Sequence, residues 1–136
     1  MKSLDSQIRQ MRFRVDQCQR RVAQLEGMIA ELKRRSTDVE HDINSEHART
    51  KISDPHHFAY SPLAKSLAQS RANLERSIQT LEVQLENEKG AASEANNALN
   101  DLLQARGQRE EHASRSTEPS MDGNVMRGPT VTNAIM

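Results

Sequence analysis

Apolar residues recur at two interleaved seven-residue intervals through the first part of the chain. Leu4, Met11, Cys18, Leu25, Leu32 and Val39 form one row. Ile8, Val15, Val22, Ile29 and Ile43 form the second, each four residues after a member of the first. On a helix these rows merge into one narrow stripe, the second row at position a and the first at position d of a coiled-coil seam. A strict seven-residue repeat drifts against a straight helix, so the pattern predicts left-handed supercoiling around a second helix. Ser36, Glu46 and Thr50 are the weak seam positions. A helix over about residues 3–50 would be ~70 Å long.

The pattern breaks between Lys51 and Ser61. Asp54-Pro55 and Ser61-Pro62 each drive the residue before proline out of helical geometry. Ser61 followed by Pro62 is also a helix start, with a hydroxyl at the N-cap and proline at the first helical position. Residues 51–61 are therefore read as a bend. A second heptad run follows over about 62–116, with Leu67, Leu74, Leu81, Ala95 and Leu102 in one row and Ala64, Ile78, Leu85, Ala92 and Leu99 in the other. Arg71 and Glu88 interrupt it, and helicity is expected to fade beyond Gly107. Residues 117–136 hold two Pro and two Gly with little periodicity, which reads as a disordered tail.

Two seams of similar length joined by a bend are at high effective concentration for each other. The expected fold is all-α: a long antiparallel two-helix coiled-coil hairpin with a disordered C-terminal tail. β-branched residues at a with Leu at d also suit parallel dimers, so a parallel homodimeric scaffold stands as the alternative. Matching a to d in the antiparallel pair sets Ile29 opposite Leu81, Leu25 opposite Leu85, Leu32 opposite Ile78 and Cys18 opposite Ala92. It places Lys33 near Glu75 and Glu26 near Glu82, and slips of one heptad preserve the a/d match.

Composition narrows the functional classes. Only 2% of the residues are aromatic and 28% are charged, so a thick globular core is not expected. The single cysteine, Cys18, excludes an internal disulfide framework and fits a reducing compartment. No apolar run approaches the ~20 residues of a membrane span, and the start is too charged for a signal peptide; a cytoplasmic protein is the expectation. Formal net charge is zero but unevenly spread: residues 1–35 are rich in Lys and Arg, residues 36–55 in Asp and Glu. That suggests local docking rather than polyanion binding, and nucleic acid is not an expected partner. His41, His47, His56 and His57 match no zinc spacing, and with one Cys no metal, cofactor or catalytic set is read from the sequence. Cys18, at a seam position, is read as a small buried hydrophobe.

The segments RFRVDQCQRRVAQLEGMIAEL at 12–32 and ISDPHHFAYSPLAKSLAQSRANLERSI at 52–78 resemble the FliJ family of flagellar export proteins in its alphaproteobacterial form. The R-F-x-V-D pattern, I-S-D-P-x-H-F-A-Y at the bend, then A-K and R-x-N-L carry the likeness over roughly residues 8–85. In the family pattern proline follows the tyrosine directly, whereas Ser61 intervenes here before Pro62. The C-terminal tail has no counterpart. The resemblance implies a cytoplasmic, non-catalytic coiled-coil stalk similar to the gamma stalk of rotary ATPases, peripheral to the inner membrane at the flagellar base. Its implied partners are the hexameric flagellar export ATPase, the cytoplasmic domain of the export gate, and export chaperones. A secretion chaperone for one export substrate is a further alternative.

Two sets of residues are candidates for these contacts. Arg9, Arg12, Arg14, Arg20 and Arg21 make the early part of the first helix basic, with Phe13 on the face away from the seam. The resemblance implies docking on the ATPase there; the plain reading is a solvated helix face, and for Phe13 a singly exposed apolar residue. At the bend, Phe58, Tyr60, Leu63 and Leu67 are candidates for contact with the export gate. Tyr60 is in phase with the seam and is expected to plug the hairpin against Ile43 and His47, leaving Phe58 and Leu63 for contact.

Overall fold

The computed structural model describes residues 3–127, with side chains described through Ser114. It contains two helices, α1 over Leu4–Thr50 and α2 over Pro62–Arg127, and no strand among the described residues. The chain is an all-α helical hairpin. No helix among the described residues is long and apolar enough to cross a membrane.

Local chemistry fixes the helix ends. Ser3 caps α1: its hydroxyl accepts the Ser6 N–H at 3.1 Å, with Asp5 in the positive first turn. At the other end Lys51 adopts φ 63° and donates its N–H to His47 O at 2.8 Å, the left-handed stop usually made by glycine. Ser61 caps α2, accepting the Ala64 N–H at 3.1 Å, and Pro62 supplies the first helical residue.

α2 differs from the expected element at its far end. It does not fade beyond Gly107 or stop near 116 but runs to Arg127. Arg109, Glu110, Glu111 and Ala113 are strong helix formers and sustain the first part of this extension. Propensity gives no account of helix across Pro119 and Gly123. The remainder of the expected tail, 128–136, lies outside the described residues.

The hairpin divides into two compact units: Val15–Glu94, which contains the bend, and the segments before and after it. Among the described residues the buried apolar side chains are Cys18, Leu25, Ile29, Ala64 and Ile78 in Val15–Glu94, and Ile8 and Ala95 in the other unit. Every one belongs to a heptad row, so burial follows the seam. The expected alignment sets Glu40 opposite Ser70 and Asp5 opposite Ala105. The residues that meet them are the next along: Arg71 Nη2 lies 2.9 Å from Glu40, and Arg106 Nη1 lies 3.7 Å from Asp5. A slip of one heptad would part each pair by ~10 Å. Lys33 departs from expectation: its ammonium lies 3.5 Å from Glu82 and not beside Glu75, because Glu75 faces Arg71 Nε at 3.3 Å.

Candidate interaction surfaces at the bend and along α1

The two helices are clasped next to the bend. Glu46 occupies a seam position yet is only 7% exposed. Its carboxylate accepts two bonds from Arg49, at 2.7 and 2.8 Å, and a short one from the Ser61 hydroxyl. These bonds, the Arg49 guanidinium first and Ser61 second, hold the Glu46 carboxyl at about 2, against the opposing pull of burial. Ser61 thus donates to Glu46 while accepting the Ala64 N–H, joining the end of α1 to the cap of α2. One residue on, His47 Nε2 and the Tyr60 hydroxyl are 2.7 Å apart, with their rings tilted at 56°. Thr50 closes the last turn of α1, donating to Glu46 O at 3.0 Å and accepting the Ile52 N–H at 3.3 Å.

Beyond the clasp the bend is braced by its own polar groups. Asp54 Oδ1 accepts the His56 N–H at 2.9 Å, and its carbonyl accepts the His57 N–H at 3.1 Å. His57 then accepts twice, through its carbonyl from Tyr60 N–H at 3.0 Å and through Nδ1 from Ala59 N–H at 3.0 Å. Phe58 lies between these anchors, stacked on the His57 ring at 4.8 Å and 97% exposed. Leu63, on the first turn of α2, is 55% exposed. The four bend candidates therefore divide. Phe58 and Leu63 face solvent, Tyr60 is engaged with His47, and Leu67 is half-buried in the seam. An exposed aromatic on a hydrogen-bonded turn loses little freedom on binding, which suits an anchor.

The arginines also divide. In the unit that holds the start of α1, Arg9, Arg12 and Arg14 are exposed, and none has an ion-pair partner among the described residues. Arg9, Arg12 and Phe13 stand three and four residues apart and share a face. Phe13 is 66% exposed, and Arg14 is turned by ~100° from it. Arg20 and Arg21 belong to the Val15–Glu94 unit. There Arg20 Nε pairs with Asp16 at 2.9 Å and Arg21 Nη1 donates to Gln24 at 3.0 Å. Arg20 is thus paired on its own helix, whereas Arg9, Arg12 and Arg14 have no ion pair among the described residues.

Cys18 is a buried free thiol. Among the described residues no three His, Cys, Asp or Glu side chains converge as a metal would require. Sequence reasoning missed the Glu46–Ser61–Arg49 cluster by treating Glu46 only as a weak seam position. The available signal was a carboxylate on the seam stripe at the level of the Ser61 cap, with arginine three residues on. Compared with known protein families, with curated proteins and with solved structures, the chain matches none.

Proposed function

We propose that the chain is a non-catalytic coiled-coil stalk and adaptor of flagellar type III protein export, acting by contact at the cytoplasmic side of the export apparatus. Arg9, Arg12, Phe13 and Arg14 dock on the hexameric export ATPase, with Arg20 and Arg21 in a lesser role. Phe58 and Leu63 touch the cytoplasmic domain of the export gate, and export chaperones are further partners. Tyr60, bonded to His47, and Leu67, half-buried on α2, add less to the gate contact. The observation that carries the reading is the pairing of chemistry with motif. The bend segment that carries the family likeness, 52–60, is the one that braces an almost fully exposed Phe58. Unpaired arginines act through steering and rim contacts that salt weakens, whereas an aromatic anchor acts through apolar burial that salt hardly touches.

The test is a paired charge and anchor experiment with the purified export ATPase and gate domain. Arg9→Glu, Arg12→Glu and Arg14→Glu together are expected to abolish ATPase stimulation and leave gate binding intact. Phe58→Ser with Leu63→Ser is expected to do the reverse. Helicity is retained in both. If wild-type chain neither binds nor stimulates the ATPase, the export reading is wrong. If either set removes both interactions with the hairpin still folded, the division of labour is wrong.

A further inference from the structure

The bend is built from two successive turns of the same plan. In the first, over residues 54–57, the Asp54 carbonyl accepts the His57 N–H at 3.1 Å, and the Asp54 side chain accepts the N–H two residues on, from His56 at 2.9 Å. In the second, over 57–60, the His57 carbonyl accepts the Tyr60 N–H at 3.0 Å, and the His57 side chain accepts the N–H two residues on, from Ala59 at 3.0 Å. The leading position of such a turn ordinarily falls to Asp, Asn or Ser, whose short side chain makes this second bond. Asp54 conforms. His57 makes the same bond with an imidazole, and the turn it leads encloses the exposed Phe58.

The two acceptors differ in one respect. A carboxylate offers lone pairs throughout the neutral range. An imidazole accepts through Nδ1 only while that nitrogen is bare, so the Ala59 bond selects the neutral ring with its proton on Nε2. A second proton goes to Nδ1 and sets two N–H groups face to face, and the ring must turn away. The stack of the His57 ring on Phe58, at 4.8 Å and 21°, has no such dependence, because a cation over a ring face is attracted to it. Proton uptake therefore opens the turn and leaves the ring pair together.

No neighbouring charge offers His57 another partner. At the helix ends beside the bend, Glu46 is bonded to Arg49 and His47 to Tyr60. On the first turn the Asp54 carboxylate is bonded to the His56 N–H. Lys51, Lys65 and the His56 ring complete the charged and titratable groups there. None of these forms an ion pair or a side-chain hydrogen bond with His57 among the described residues.

We propose that His57 is the positioning residue of Phe58 and makes its presentation depend on one proton. With Nδ1 bare, the turn over 57–60 is closed and Phe58 is held out. With Nδ1 protonated, the turn opens and Phe58 loses its fixed aim. Histidines ordinarily change charge between about pH 5 and 8, so presentation is complete at the upper end of that range and is lost as pH falls through it. That Phe58 is an anchor for the export gate rests on the export reading; the closing of its turn by an imidazole nitrogen does not.

The test is NMR of the isotope-labelled chain from pH 8 to pH 5. At pH 8 the His57 ring is expected to carry its proton on Nε2, and the Ala59 amide to show a hydrogen-bonded shift. As pH falls, that amide should move to a solvent-exposed shift in one step, together with protonation of the His57 ring. His57→Asn supplies an acceptor that does not titrate, and should keep the bonded shift at both ends of the range. His57→Phe keeps a ring against Phe58 but has no acceptor, and should show the released shift at both ends. His56→Asn should leave the step as it is, and helicity should be the same in all three variants. A proton on Nδ1 at pH 8, an Ala59 amide that does not follow the His57 ring, or the same step in His57→Asn overturns the proposal. With the purified gate domain, wild-type chain should bind about five-fold more weakly at pH 5.5 than at pH 8 relative to His57→Asn measured alongside. Equal pH dependence of the two overturns the link between turn and binding. No binding at any pH overturns the export reading instead, and the Ala59 amide still decides the role of His57.

Discussion

Glu46 and Arg71 are both ionisable residues standing where the heptad asks for an apolar one, and their surroundings treat them differently. Glu46 is buried but bonded by Arg49 and by Ser61, so both carboxylate oxygens are used. Arg71 is 39% exposed, reaches Glu40 at 2.9 Å, and places Nε 3.3 Å from Glu75 off the hydrogen-bond line, so this buried donor is left unsatisfied. A seam charge that is fully bonded fixes a structure, because nothing else offers it the same partners. One that is partly bonded mainly costs desolvation. The bend clasp is therefore the firm point of the Val15–Glu94 unit, and Arg71 is its soft point.

The contrast can be broken most directly at Glu46. Glu46→Ala strips Ser61 and Arg49 of their acceptor at a closely packed site, and is expected to lower the melting temperature by roughly 5 °C or more. The loss should be local first, with the amides of residues 46–64 exchanging faster than those near Ile29 and Leu81. Equal loss of protection at both places would mean the clasp is not the firm point.

Acid tests the same site through its proton. The folded-state carboxyl of Glu46 is depressed from 4.5 to about 2, so its contribution is complete above the ordinary value and drains away as pH falls toward 2. Thermal melts of wild type between pH 5 and 2 should show that acid limb, and Glu46→Gln should flatten it. Identical slopes would remove Glu46 from the account. Arg71 should respond in the opposite sense. Arg71→Leu restores the apolar row, forfeits only half-exposed ion pairs, and is expected to raise stability by about 1 kcal/mol in urea titrations. A clear loss would show that its pair with Glu40 carries more than its desolvation. The smallest expected effect is at Lys51, where φ 63° suits glycine. Lys51→Gly should gain about 0.5 kcal/mol if the unfolded chain's added freedom does not outweigh the relieved strain.

The hairpin was legible because each row of the repeat is long and because the bend declares itself through two prolines. Ser61 was readable as a cap, and it accepts the Ala64 N–H. Tyr60 was readable as a plug, and its hydroxyl meets His47. Periodicity says which residues face the seam but not how a polar residue there will be satisfied, since that depends on atoms one level up or down the partner helix. That is why Glu46 was passed over as a weak position and why Lys33 was assigned to Glu75, which Arg71 had already engaged. The far end of α2 was less legible: Gly107 reads as a weak point in isolation, yet one glycine costs only ~1 kcal/mol in a helix carried on by good formers, and propensity gives no account of the helix across Pro119 and Gly123.

The chain contains no tryptophan and one tyrosine, and that tyrosine is part of the clasp. Its optical signature near 280 nm excitation therefore reports a single hydrogen bond. An excited phenol is a far stronger acid than one in its ground state, and His47 Nε2, 2.7 Å away, takes its proton in the tautomer that leaves this nitrogen bare. With the bend closed, Tyr60 should emit weakly; with the clasp opened, as in Glu46→Ala, it should brighten toward a free phenol. The molecule thus carries a built-in lamp at the place where α1 and α2 are tied, and any event that loosens the bend can be watched without a label.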